Sequence, residues 1–260
     1  MFNRLFLDIK KYSRYSVTSA KAKLKAEVAN SYLNWLWWIL DPLCFMLIYT
    51  VMFGYVFKSK EPYFPVFIFI GISMWDFMNR TLLASVKIVN LNKAIVTRVY
   101  LPKYVLILTK IWINGFKMLI SFGIVVLMMV YYRIQLSWNV LYVVPIILTM
   151  GLFTFGCACF LLHYGVYVED LSNVLNVVLR FLFYATGIFY NVATRIPNYG
   201  MLLSKINPMA FLISSMRQVL LYGETPHRKI LLAWLAFSLL LALAGVRKIY
   251  KEENSYAKAI

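Results

Sequence analysis

Apolar runs of about 20 residues recur along this chain with short basic stretches between them, and this spacing limits the fold more than any single motif. A helix rises 1.5 Å per residue, so about 20 apolar residues match the roughly 30 Å hydrocarbon core of a bilayer. Backbone groups in hydrocarbon must satisfy one another, and continuous apolar runs of that length do so as α-helices. The runs place six spans at 35–57, 64–85, 104–132, 140–168, 174–193 and 229–246. Composition agrees, because 62% of the 260 residues are hydrophobic and 14% charged, too few charges to cover a soluble domain of this length. The expectation is an all-α integral membrane protein whose single transmembrane domain covers 1–260.

A formal net charge of +17 raises the question of nucleic acid. The distribution of the charge argues against that partner, because basic residues sit at span ends and in alternate loops, as orientation in a bilayer requires. One side has Arg4, Lys10, Lys11, Arg14, Lys21, Lys23 and Lys25 before the first span, Lys87, Lys93, Arg98 and Lys103 after the second, and Arg247, Lys248, Lys251 and Lys258 in the tail. The other has Lys58, Lys60 and Arg133 in short loops, then Arg195, Lys205, Arg217 and Arg228 over a longer one. Both termini are therefore expected in the cytoplasm. The basic lead is too long and polar for a cleaved signal peptide. Within 1–30, Phe2, Leu5, Phe6, Ile9 and Tyr12 recur at helical steps, which predicts an amphipathic helix along the headgroups; a basic tether without fixed structure is the alternative. Tyr32, Trp35, Trp37 and Trp38 then mark an interfacial belt.

Two connecting segments have their own pattern. Pro197 and the Asn207-Pro208 pair split 194–228 into pieces too short to cross a bilayer, since proline cannot continue a helix through the break. A re-entrant or surface-lying helix pair is expected there, at the external mouth. After the second span, Ile88, Leu91, Ile95 and Val99 form a helical stripe that stops before Pro102, with Asn90, Asn92, Lys93 and Arg98 on the polar side. Such a helix suits either a handle for a soluble motor or a segment resting on lipid.

Catalytic chemistry has little material here. No G-x-x-x-x-G-K-[ST] loop appears, so ATP hydrolysis by that route falls to another chain. The 10 acidic residues are scattered, and Glu169-Asp170 point in different directions on a helix, as a helix-start charge would. His163 reads as a structural residue, and Cys44, Cys157 and Cys159 as small buried hydrophobes; neither a metal site nor a bound cofactor is expected. Charges within spans each demand a partner or a wet cavity. Asp76 and Arg80, four apart, either pair with each other or line a polar conduit. Lys110 can snorkel, whereas Lys117 lies deeper. Arg180 either meets a phosphate in a wet cavity or pairs with an acid of a neighbouring helix. Gly151 and Gly156 miss the four-residue spacing of a helix-dimer motif.

Four stretches carry a family resemblance. Leu24-Lys25 followed by Asn34-Trp35-Leu36-Trp37-Trp38-Ile39-Leu40-Asp41-Pro42-Leu43 is similar to a basic lead and an LGxLWxxxxPL entry, with Asn34 where glycine is common. Arg98 with Leu101-Pro102-Lys103 is similar to a cytoplasmic coupling segment, and Glu169-Asp170-Leu171 to an RDL with glutamate replacing arginine. Gly187 to Tyr190, Pro197, Asn207-Pro208, Arg217 and Gly223 resemble a PxxYxxxxxP…NPxxxxxxxxR…G ending, with Gly187 in place of the usual proline.

On these residues the chain resembles the permease subunit of ABC transporters of the polysaccharide export type, which includes O-antigen, capsule and teichoic acid exporters. The resemblance implies a homodimer, two copies of a separately encoded ATPase that holds ATP and Mg, and a lipid-linked glycan passing between the permease copies. Ile88, Leu91, Asn92, Lys93, Ile95 and Arg98 would couple to the ATPase, and Pro197, Asn207, Pro208 and Arg217 would form the outer gate. The conduit would draw on Tyr49, Phe53, Trp75, Phe77, Arg180, Tyr184, Phe189 and Tyr190, since aromatic faces stack on sugars while permitting sliding; packing against lipid or neighbouring helices is the plainer reading of the aromatics. A permease for drug, peptide or other small-molecule efflux is the alternative within the family. A membrane enzyme acting on lipid-linked sugars would need clustered acids, a histidine or a metal, and a secondary transporter would be expected to show repeats or helices broken near the midplane.

Overall fold

The computed structural model describes residues 2–29, 33–58, 61–192, 200–253 and 255–256, and every regular element among them is helical. Besides short 3-10 helices at Asn34–Leu36 and Trp138–Tyr142, the α-helices in chain order are α1 (Phe2–Ala29), α2 (Trp37–Tyr49), α3 (Phe64–Val86), α4 (Ile88–Leu91), α5 (Lys93–Arg98), α6 (Tyr104–Tyr131), α7 (Val143–Tyr167), α8 (Leu171–Ala185), α9 (Gly200–Ile206), α10 (Pro208–Leu221) and α11 (Arg228–Lys251). Helix α2 contains Pro42 and continues as a π-helix through Thr50–Val56, so its last turns are wider than the rest.

Among the described residues, five helical stretches are long and apolar enough to cross a membrane: Trp37–Val56, Phe64–Val86, Tyr104–Tyr131, Trp138–Tyr167 and Arg228–Lys251. The sixth expected span, 174–193, takes another form. Its helix α8 has only 15 residues, about 22 Å at 1.5 Å per residue. It stops where Gly187 adopts φ +75°, a left-handed conformation that terminates helices and suits glycine. Thr186, just before it, donates its hydroxyl to the Leu182 carbonyl.

Helix α3 is the axis of the bundle. Tyr63, with φ +50°, turns the chain into it, and Pro65 occupies its first turn, where a missing donor costs nothing. Val66 to Ile70, Met74, Met78 and Leu82 are buried by α2, α6, α7, α8 and α10. The densest seam joins α7 to α11. A Cβ on Gly156 would fall 2.8 Å from the Leu241 side chain and 2.9 Å from the Ala242 nitrogen, and one on Gly245 would fall 2.6 Å from the Cys159 Cβ. Small residues three apart on each helix, Gly156 with Cys159 and Ala242 with Gly245, let the backbones touch. The sequence reading looked for a four-residue step on one helix and so missed this seam.

Helix α1 packs along α6, with Ser16 and Ala20 buried. The Phe2, Leu5, Phe6 and Ile9 side chains expected on its apolar stripe lie outside the described ones; Tyr12, also in that stripe, is half-buried and donates to the Tyr100 carbonyl over 3.4 Å. At the same end of the bundle, Tyr250 donates to Asp8 (2.6 Å) and its hydroxyl meets that of Tyr104 (3.2 Å). Glu253 accepts from Tyr100 (3.0 Å) and pairs with Lys103 at 3.6 Å. His163 is buried with its Nδ1 2.9 Å from the Tyr256 hydroxyl, a satisfied structural histidine. Burial pushes the Tyr256 phenol well above its ordinary range. Of the cysteines expected to be buried, Cys159 is buried, Cys157 is half-buried and Cys44 is exposed on α2, which buries only Pro42 and Met46.

Candidate functional site

The expected conduit aromatics come from α2 with its π continuation, α3, α8 and the turn after α8, and most of them meet. Tyr49 and Phe53 lie one turn apart on α2 and its π continuation. The Phe53 ring stacks on Phe189 at 4.2 Å between centroids and 11° between planes, and Tyr49 stands 4.8 Å from the same ring. Phe183, not among the expected residues, links the cluster to α3, 5.2 Å from Phe189, 5.7 Å from Trp75 and 5.3 Å from Tyr184. Its position inside the α8 pattern was the available signal. Tyr190 joins through its hydroxyl, which donates to the Tyr184 carbonyl over 2.9 Å. Phe77 does not join; it faces a different, polar pocket beside Asn114.

Asn173, Val177, Arg180 and Tyr184 recur at four-, three- and four-residue steps on α8 and are all exposed, with Tyr184 at 61%. Among the described residues Arg180 makes no ion pair or hydrogen bond. An arginine and an asparagine on one helix face cannot be left in hydrocarbon without a large penalty, so this face needs water or another chain. Leu179, on the opposite side, is the one buried residue of α8.

The α9–α10 pair is set into the bundle beyond this wall. Asn207 caps α10 by accepting from the Met209 and Ala210 amides at 3.0 and 3.3 Å, and Pro208 follows at the first helical position. The other end of the Asn207 amide reaches the Thr186 hydroxyl at 3.3 Å, tying the tip of the pair to the end of α8. Arg217 is buried and donates to three carbonyls, from Nε to Phe67 (3.0 Å), Nη1 to Gly187 (2.9 Å) and Nη2 to Ile188 (2.8 Å), with its guanidinium 3.4 Å from the Phe67 ring centroid. A Cβ on Gly71 would lie 2.6 Å from Nη2, so that glycine makes the room. Arg217 thus clamps α10 to α3 and to the turn after α8. The tip borders the same cavity as Trp75, which lies near the middle of α3. At the other end of α10, Tyr222 donates to Glu61 over 3.4 Å; burial and then the Glu61 charge push its phenol up to about 12. Pro197, expected in this gate, lies outside the described residues.

The loop after α3 differs from the single stripe expected. Asn92 donates its side-chain amide to the Ile88 carbonyl over 2.7 Å, and the chain breaks there into α4 and α5. The break changes the phase. Ile88, Val89 and Val96 are buried, whereas Leu91 (77%), Ile95 and Val99 are exposed beside Lys93 and Arg98. Lys23 of α1 donates to the Asn92 side chain over 3.3 Å. Burial, with Lys110 nearby, lowers the Lys23 pKa.

Asp41, Asp76, Arg80 and Lys117 line a polar pocket of about 180 Å³ between α2, α3 and α6. Arg80 meets Asp41 of α2 at 2.7 Å and Asp76 only at 3.4 Å. The Asp76–Arg80 pair is therefore the longer arm of a three-residue bridge, in which Asp41 on the facing helix is the closer partner. Lys117, suspicious from its depth, pairs with Glu27 of α1 at 2.6 Å and lies 5.8 Å from the Trp38 ring centroid.

Residues 18–221 match the ABC-2 type transporter family. The chain is 24% identical over 258 residues, 99% of each sequence, to the O-antigen export system permease protein RfbA of Myxococcus xanthus. It is also 24% identical over 238 residues, 91% of each sequence, to a protein of the same description from Klebsiella pneumoniae. With a family match across most of its length and five helices fit to cross a membrane, this chain belongs to the ABC-2 type transporter family.

Proposed function

We propose that this chain is the transmembrane subunit of an ATP-driven exporter that moves a lipid-linked polysaccharide across the cytoplasmic membrane. The observation that carries this reading is the exposed α8 face, Asn173, Val177, Arg180 and Tyr184, beside the aromatic cluster that α8 shares with α2. Two copies facing each other across α2 and α8 would enclose a passage with stacking surfaces for sugar rings and a guanidinium for a phosphate. The aromatic faces fix no hydrogen-bond register, so a repeating chain can slide over them. The relatives named for O-antigen export support the same substrate class.

A separately encoded ATPase, which holds ATP and Mg, docks on the exposed Leu91, Ile95 and Val99 with Lys93 and Arg98 at the rim. Its movement reaches α1 through Lys23 and Asn92. Both termini and this loop are cytoplasmic. The α9–α10 pair is re-entrant from the outer side and, held by Arg217, closes the passage there; the short α8 with the turn at 186–192 completes a sixth crossing.

Proteoliposomes containing this chain and its co-purified ATPase test the reading. ATP-dependent transfer of a lipid-linked glycan to the outer leaflet is expected. Transfer of small amphipathic drugs or peptides without the glycan would favour the efflux alternative.

A further inference from the structure

An apolar cavity of about 570 Å³ lies between α8 and the α7–α11 seam, bordered by Trp75, Phe160, Leu182 and Leu241 and by Asn207 and Pro208 at the tip of the α9–α10 pair. No Lys, Arg, Asp or Glu lines it. Its polar side chains Thr186 and Asn207 are bonded to each other, and Asn207 also caps α10. Trp75 and Leu241 are near the middle of helices long enough to cross a membrane, so the surrounding solvent at that depth is hydrocarbon. Val178 both lines the cavity and is 45% exposed, which places an opening along α8. An empty space of this size would leave its lining without dispersion contacts on one side.

We propose that this cavity holds one acyl chain of a bilayer phospholipid, inserted past Val178 until it meets the Asn207–Pro208 tip. A carrier lipid tail is disfavoured because the lining offers no cation for a pyrophosphate, whereas phospholipid chains surround the opening at the concentration of a solvent. The chain braces the inner face of α8 and supports the tip of the α9–α10 pair. The proposal does not depend on what the protein exports.

The test uses the full chain with its ATPase in nanodiscs containing either a phosphatidylcholine with a diazirine in one acyl chain or a polyprenyl phosphate with a diazirine in its tail. After irradiation, the phosphatidylcholine probe is expected to label 157–161 and 178–182 several-fold more than the exposed α6 surface at 126–130. Val178→Trp and, separately, Leu182→Trp should lower cavity labelling to the α6 level while α6 labelling and assembly stay unchanged. Equal labelling of cavity and α6 surface would reduce the site to ordinary lipid contact and overturn the proposal. Labelling that persists in both tryptophan variants, or preferential labelling by the polyprenyl probe, would overturn it as well.

Discussion

The α7–α11 seam and the α2–α8 wall are both built from apolar helices, yet one is finished within the chain and the other is not. Along the seam, Gly156 and Gly245 bring backbones into contact, and Ala158, Cys159, Leu162, Ala242 and Val246 are buried. Along the wall, α2 buries only Pro42 and Met46, and α8 only Leu179. Exposure alone does not separate these regions, because α6 also exposes Leu119, Val126, Leu127 and Val130, as a lipid-facing helix should. What distinguishes α8 is Asn173 and Arg180 within its exposed face. A fixed scaffold thus stands behind a surface that needs water or a second copy.

The contrast predicts a graded set of effects. Gly245→Leu should be the most damaging, destabilising the solubilised protein by about 3 kcal/mol as overpacking forces the seam apart. Val177→Leu on α8 should change the apparent Tm little, and equal losses for the two would erase the distinction. Arg217→Met should follow at about 2 kcal/mol, since it strands the Phe67, Gly187 and Ile188 carbonyls. Arg217→Lys should not restore the loss, because one ammonium cannot reproduce the three-way fork. Thermal unfolding checks both. Next, Asp41→Asn should cost about 1 kcal/mol and exceed Asp76→Asn, following the 2.7 and 3.4 Å distances to a partly exposed Arg80. Smallest in stability is Arg180→Ala, within about 0.5 kcal/mol, with export impaired while assembly persists. Reversing Lys93 and Arg98 to glutamate should also spare stability while reducing co-purification of the ATPase; undiminished co-purification would remove those residues from the docking surface.

The legible part of the fold is what periodicity and hydropathy encode. Long apolar runs locate the five helices able to span, and the Asn207-Pro208 pair marks the break between α9 and α10. The aromatics Tyr49, Trp75, Tyr184 and Phe189 were named before their common cluster was visible, but Phe183, which links it to α3, was not. The failures are tertiary. Gly187 takes a left-handed turn that cuts α8 to 15 residues, although the hydropathy continues past it. Asn92 shifts the helical phase by bonding to Ile88, so a stripe read as one helix became two. Asp41 outcompetes Asp76 for Arg80 from a helix 39 residues away in sequence, a relation no local pattern contains.

The central claim, that the α8 face borders water while the α6 face borders lipid, can be tested by labelling. In a chain with its three cysteines replaced, assembled with the ATPase in native vesicles, Arg180→Cys and Leu127→Cys are exposed to a water-soluble thiol reagent. The account predicts reaction at 180 and none at 127. An inert cysteine at 180, or equal reaction at both positions, would contradict it.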